Sequence, residues 1–232
     1  MANRYFVDIL PNEGRASLAG DVAHHLAVVL RARPGDRLVL ADGRGSRCEA
    51  TVTAASKRDL VVEVGPHLHA PAPAHRLHLA FAPPKLQRAE WLFEHGTELG
   101  VAEFWPIWTA RTRPQGERLE RWQKIATAAA GQSDRDWLPK IHAPLELAEF
   151  LAASALPTRR FVGDGSGVGF VAADAAPGEA LVLVGPEGGF APDEAAAVAA
   201  AGFAPRRFGP HILRTETAGL VGAALWLHAA GG

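Results

Sequence analysis

Two short stretches concentrate the residue types that chemistry needs. In ALVLVGPEGGFAPDE, residues 180–194, an apolar run leads straight into Gly185-Pro186-Glu187-Gly188-Gly189, and Pro192-Asp193-Glu194 opens a helix. Glycines placed there let backbone N–H groups and carbonyls approach a ligand, at the carboxyl end of a strand where open α/β sheets bind their ligands. The same text also suits a tight strand-to-helix turn with no ligand. It is not one of the usual phosphate loops: GxxxxGK[ST] is absent, and GDGSGVG at 163–169 has the wrong glycine spacing for GxGxxG. In the second stretch, GPHILRTETAG at 209–219, Arg214, Thr215, Glu216 and Thr217 run into an apolar helix. Helix capping accounts for Thr215 or Thr217, and a surface ion pair of little worth for Arg214 with Glu216. Neither accounts for the whole run.

The hydrophobic pattern predicts the elements that position these loops. From Leu77 onward strand and helix alternate, the sign of an α/β fold with parallel strands. LHLAFA, FWPIW, RRFVGD, ALVLVG and RRFG read as strands, the last three each ending on a Gly or Asp turn. Helices are expected over about Leu86 to Leu99 with Gly100 as C-cap, Leu119 to Gly131, DEAAAVAAAG, and about Thr217 to His228. The last is apolar nearly all round, so it belongs in the core or in a subunit interface. Before Leu77, the runs RYFVDIL, RLVLAD, CEATVTAA and DLVVEVG alternate between turns at Pro34-Gly35-Asp36, Asp42-Gly43 and Arg58-Asp59, which predicts a small β-domain. Val22, Leu26, Val29 and Leu30 place one short helix within it. HAPAPAH, His69 to His75, has no periodicity and reads as an extended connector. The expected division is a β-domain over 1–70, a linker over 71–75 and an α/β domain over 76–232.

Composition narrows the function classes. With 232 residues and 48% apolar, the chain has enough material for a large core, and no apolar stretch reaches the roughly 20 residues of a membrane span. MANRYFVDILPNEGR has no basic-then-apolar leader, so no secretory signal is expected. The single cysteine, Cys48, allows no internal disulfide, and the histidines show no HExxH-like spacing, so no metal site is expected. A reducing, cytoplasmic setting is the default expectation. The net charge of −1 hides an asymmetry: 19 basic against 16 acidic residues through residue 140, then 5 against 9. Binding to nucleic acid would need a local patch, for which arginine, 20 of the 24 basic residues, has the planar fork that suits phosphate. The six tryptophans fall mostly on apolar faces and are expected to be core, as is Cys48.

GPEGGF followed by ILRTETA resembles the bacterial small-subunit (16S) ribosomal RNA uridine-N3 methyltransferases of the SPOUT, or α/β-knot, superfamily. HHLAVVLRARPGDRLVLADG, KLQRAEWLFEHGTELGV and RWQKIATAAAGQSDRDWLP match further motifs of that family in the same order, so the resemblance covers the whole chain. Two positions depart from its pattern: His211 stands where the family has Arg, and Gly131 where it has Glu. The resemblance implies a cytoplasmic homodimer with an N-terminal PUA-like RNA-binding β-barrel. It also implies a trefoil-knotted methyltransferase domain with a mostly parallel sheet, acting on N3 of a specific uridine in the decoding region of 16S RNA in the small subunit. The methyl donor would be S-adenosylmethionine, held by Gly163, by Val184, Gly185, Pro186, Glu187, Gly188 and Gly189, and by Phe208, Gly209, Ile212, Leu213 and Thr215. Uracil N3 carries a proton at neutral pH, so attack requires a base or a cation that stabilises charge on O2 and O4. Arg214 is the expected cation, with Glu187 or Glu216 orienting the base or taking the proton. Arg31, Arg33, Arg44, Lys85, Arg88, Arg111 and Arg113 are candidate phosphate contacts, fewer than half of which are expected to matter. Two other functions fit parts of the text: a methyltransferase of the same fold acting on another RNA, such as a tRNA ribose 2′-hydroxyl, and an RNA-binding protein that has lost activity.

Overall fold

The computed structural model describes residues 4–56, 59–112, 118–176 and 178–231. The chain forms two compact units: Met1–Ala72 with Ala130–Leu138, and Pro73–Ala129 with Pro139–Gly232.

In the first unit β1 (Arg4–Phe6), β2 (Gly14–Leu18), β3 (Arg37–Ala41), β4 (Ser46–Ala55) and β5 (Leu60–His69) form one mixed sheet in the order β1-β3-β4-β5-β2, with only β1 and β3 parallel. Side chains alternate between faces along a strand. Leu38 and Leu40, Cys48, Ala50 and Val52, and Leu60, Val62 and Val64 therefore share one buried core. Register shifts at Cys48/Ala50 and Val52/Ala54 bend the long β4–β5 hairpin over that core. Burial pushes the Cys48 thiol up, which suits an inert packing role. The expected helix is α1 (Gly20–His24) followed by a π-helical turn, His25–Val29, and it buries Ala23 and Leu26. Leu30, expected on its apolar face, is instead 46% exposed, because the chain leaves the helix there and Arg31 enters the left-handed region at φ 54°. Arg58 of the turn expected at Arg58-Asp59 lies outside the described residues.

Residues 130–138 join this unit through specific contacts that no periodicity reveals. Arg4 and Arg47 both pair with Asp136, Leu138 N donates to Gly43 O at 3.0 Å, and Gly45 N donates to Asp136 O at 3.1 Å. They also explain Gly131. A Cβ there would lie 2.8 Å from the Arg4 carbonyl oxygen, so the backbone of β1 occupies the space a side chain would need.

In the second unit β6 (His75–Phe81), β7 (Glu103–Trp108), β8 (Lys140–Ile141), β9 (Leu145–Glu146), β10 (Arg159–Val168), β11 (Gly178–Val184) and β12 (Ala204–Arg206) build a parallel sheet ordered β12-β10-β11-β6-β7-β8, with β9 also on β7. Helices cover both faces. α2 (Leu86–Leu99), α3 (Leu119–Gln132) and α6 (Thr215–Ala229) supply Leu92, Phe93, Trp122, Ala223 and Trp226 to one core, and α4 (Leu147–Ala152) and α5 (Pro192–Ala200) supply Leu147, Phe150 and Val198 to the other. Central strands buried on both sides read as continuous apolar runs, hence ALVLV.

Several expected boundaries move. The strand read from RRFG is β12, Ala204–Arg206, and Arg207 and Phe208 lie beyond it. β10 continues through the Gly/Asp turn expected at its end, with a register shift between Gly163 and Val168 where it meets β12. α6 starts at Thr215, not at Thr217. α4, β8 and β9 are too short to show a period. Trp105, Trp122 and Trp226 are buried, whereas Trp91 is 43% exposed on α2.

Candidate functional site

β11 lies between β10 and β6, so two loops leave the sheet side by side, 82–85 after β6 and 185–189 after β11, next to the Gly163 region of β10, where the register against β12 shifts. The Phe208–Arg214 segment between β12 and α6 meets them. Thr215 Oγ1 donates to Gly185 O at 3.0 Å, which ties the first residue of α6 to the glycine loop. That bond, not capping, is what Thr215 does, because Arg214 occupies the N-cap position with extended backbone and makes no side-chain cap bond.

Ring packing shapes the floor. The Phe208 ring stacks on Phe170 at 5.7 Å and would lie 2.7 Å from a Cβ at Gly163, while the Phe190 ring would lie 2.9 Å from a Cβ at Gly185. At Gly189 and Gly209 an added Cβ would meet nothing within 4 Å, so these glycines border open space. Val184 and Pro186 are buried, Leu213 is half-buried, and Ile212 is fully exposed on the rim. A rim of glycines and peptide groups over an aromatic floor fits an adenosyl group, whose base and ribose are recognised largely through backbone donors and acceptors.

Glu194 braces the loop from below. It accepts from Ala191 N at 2.9 Å at the start of α5 and from Ala110 N at 2.7 Å in the turn after β7. The bond to Ala191 is local to the start of the helix, whereas the bond to Ala110 is tertiary. No local sequence signal marks Asp174 and Arg206 as partners or ties them to Trp226. Asp174 takes a two-pronged pair from Arg206 at 2.7 and 2.6 Å, and its carbonyl accepts from Trp226 Nε1 at 2.8 Å, joining β12 to α6. The Arg206 hydrogen bonds hold the Asp174 carboxyl below the usual carboxylate range against the effect of burial.

The two glutamates sit in contrasting surroundings. Glu187 is on the exposed loop, whereas the Glu216 side chain is 8% exposed in the first turn of α6. Glu216 does not form the surface pair with Arg214 that their spacing suggests. It meets Arg88 of α2, with Nε 3.5 Å from Oε1, and Arg88 Nη1 also lies 3.6 Å from Glu187 Oε1. Glu216 Oε2 is buried with no hydrogen-bond partner among the described residues. Such an orphaned acceptor calls for a functional explanation. Arg214 is exposed, and its side chain makes no hydrogen bond or ion pair with another described residue.

Among the expected phosphate contacts, Lys85 is exposed at the start of α2. Arg111 instead donates to the carbonyl of Gly188, so its guanidinium holds the glycine loop. Arg31, Arg33 and Arg44 are exposed in the first unit, and Arg113 lies outside the described residues. Exposed His211 makes no side-chain contact with other described residues that would explain it. Among those residues no group of three or more His, Cys, Asp and Glu is placed to hold a metal, and no helix is long and apolar enough to cross a membrane.

Residues 70–227 match the model of an RNA methyltransferase domain, and residues 18–65 that of an RNA methyltransferase PUA domain. The chain belongs to this RNA methyltransferase family. It is 34% identical over 236 residues to the ribosomal RNA small subunit methyltransferase E of Mycobacterium tuberculosis, covering 95% of this chain and 89% of the relative. With the protein of the same name from Bacillus subtilis it shares 29% over 238 residues, covering 94% and 93%. Among solved structures, a Legionella pneumophila methyltransferase in complex with S-adenosylmethionine superposes with a TM-score of 0.88 at 26% identity, covering 99% and 98% of the two chains. A small subunit methyltransferase E from Neisseria gonorrhoeae, also bound to S-adenosylmethionine, gives 0.86 at 27% identity, covering 97% and 96%.

Proposed function

We propose that the protein methylates N3 of a specific uridine in 16S ribosomal RNA of the small subunit, with S-adenosylmethionine as donor. One observation carries this reading: the Gly163 region, Gly185–Gly189 and Phe208–Thr215 converge beside a buried Glu216 whose Oε2 lacks a hydrogen-bond partner among the described residues. The cofactor, when bound, supplies an electrophilic methyl group on a sulfonium. Backbone groups of Val184, Gly185, Pro186, Gly188, Gly189, Gly209 and Leu213 would hold it, beside the Phe208 ring and Ile212. Arg214, charged at every working pH, stabilises the negative charge that develops on uracil O2 and O4. Glu216 Oε2 accepts the N3 proton, and Glu187 orients the base. The new bond is N3 to methyl carbon and the broken one is sulfur to methyl carbon. The proton leaves through Glu216 to solvent.

The exposed Arg31, Arg33 and Arg44 of the PUA-like unit and Lys85 would add phosphate contacts. The domain division at residues 71–75, passage of the chain through its own loop, a homodimer and a cytoplasmic location belong to the same reading. Leu225, 39% exposed on the apolar α6, supports a dimer face. Light scattering that shows a monomer at working concentration would remove the dimer.

The deciding experiment is incubation of the protein with labelled S-adenosylmethionine and unmethylated small subunits, followed by nucleoside analysis of the RNA. The expected product is 3-methyluridine. A ribose-methylated nucleoside would move the protein to the 2′-hydroxyl class, and no transfer would defeat the reading.

A further inference from the structure

Arg88 occupies a place that local helix physics disfavours. It is the third residue of α2, in a first turn without an acidic side chain, where the helix dipole opposes a cation. Tertiary contacts account for it. Its Nε lies 3.5 Å from Glu216 Oε1 and its Nη1 3.6 Å from Glu187 Oε1, so one guanidinium spans the glycine loop after β11 and the first turn of α6. Those two carboxylates come from opposite ends of the cofactor loops, and no other described cation makes an ion pair with either. Glu216 is 8% exposed, and a buried carboxylate without a countercharge is costly.

We propose that Arg88 is a positioning residue that clamps Glu187 and Glu216 together and holds in place for the N3 proton the Glu216 carboxylate, whose buried Oε2 has no donor among the described residues. This rests on the methyl-transfer reading above and replaces a phosphate role for Arg88. A phosphate contact and a clamp predict different kinetics. A clamp acts on the reacting geometry, so its loss appears in kcat. A phosphate contact acts on RNA affinity, so its loss appears in KM and in the salt dependence of binding.

The test compares wild type, Arg88→Ala and Arg88→Lys in the full chain. In Arg88→Ala, kcat for 3-methyluridine formation falls at least about tenfold while KM for small subunits stays within about twofold. Arg88→Lys recovers part of kcat, since an ammonium reaches one carboxylate but cannot span both. A rise in KM with unchanged kcat, or a salt slope reduced by about one, would overturn the clamp. Amide hydrogen exchange gives a readout that needs no turnover. At 185–190 and 215–218 exchange speeds up severalfold in Arg88→Ala and stays at the wild-type rate in the β4–β5 hairpin, and unchanged exchange at both loops overturns the clamp. If wild type itself forms no 3-methyluridine, the functional reading fails, and the exchange data alone decide whether Arg88 clamps the two loops.

Discussion

At the amino end of the parallel sheet, Arg76, Glu103, His142 and Glu179 pair tightly around a buried His78 whose Nε2 has no hydrogen-bond partner among the described residues, whereas at the carboxyl end the ion pairs of Arg88 with Glu187 and Glu216 are looser. Arg76 reaches Glu179 at 2.8 Å and Glu103 at 3.0 Å, and His142 Nε2 meets Glu103 at 2.7 Å with its ring stacked on Trp105. The ion pairs at the other end span 3.5 and 3.6 Å, and Glu216 Oε2 has no hydrogen-bond partner among the described residues. Each end holds a largely buried carboxylate, Glu103 on β7 and Glu216 on α6. Partners spent within the protein give stability, and partners withheld leave a group free to act on a ligand.

Mutation separates the two ends. Arg214→Ala is expected to lower kcat roughly 100-fold with cofactor affinity unchanged, the cost typical of removing one preorganised stabilising group. Single-turnover methylation and calorimetric titration of S-adenosylmethionine check it, and turnover within a few-fold of wild type would end the catalytic role. Glu103→Ala at the amino end should reverse the pattern. It strips the acceptor from His142 and Arg76 and destabilises the fold by about 2 kcal/mol in urea unfolding, with kcat of the folded protein unchanged. Gly163→Ala drives a methyl into the Phe208 ring and should raise the cofactor dissociation constant about tenfold, or about 1.4 kcal/mol. Unaltered cofactor affinity would detach that strand from the site.

Acid provides the smallest and most distributed effect. Burial holds His78 below the usual histidine range, although Glu103 and Glu179 pull the other way. The unfolded chain therefore binds its proton first, and stability falls as pH drops below about 6.5. For Glu103, burial opposes ionisation, but the His142 hydrogen bond and nearby positive charge prevail and hold the carboxyl below its usual range. Its contribution is present above about pH 4.3 and is lost as pH falls through the lower folded value. Melting temperature should thus decline in two stages between about pH 7 and 3. In Glu103→Ala the second stage should shrink, and a flat profile in wild type would show that the amino-end cluster contributes no linkage.

How much of this was legible depended on distance along the chain. α2 was readable because its apolar spacing and Gly100 cap are local, and the glycine loop after β11 because a buried strand must end in residues that let the chain turn. The RRFG strand was displaced because β12 takes its register from β10 at Phe161 and Val162, far away in sequence. Thr215 looked like a cap because its partner, Gly185 O, lies thirty residues earlier. Arg111 looked like a phosphate contact until the turn after β7 carried it to Gly188. Gly131 looked like a departure without a reason until β1 came to rest against it.

The amino-acid sequence by itself determined the longer strands and helices and the loops that carry chemistry, because periodicity, glycine placement and motif order are local properties of the chain. Only the tertiary structure decided which charges meet. Arg88 with Glu187 and Glu216, Asp174 with Arg206, and residues 130–138 with the first unit are all pairings across long sequence separations. An ion pair is a property of distance and burial, and neither exists until the strands have taken their order in the sheet.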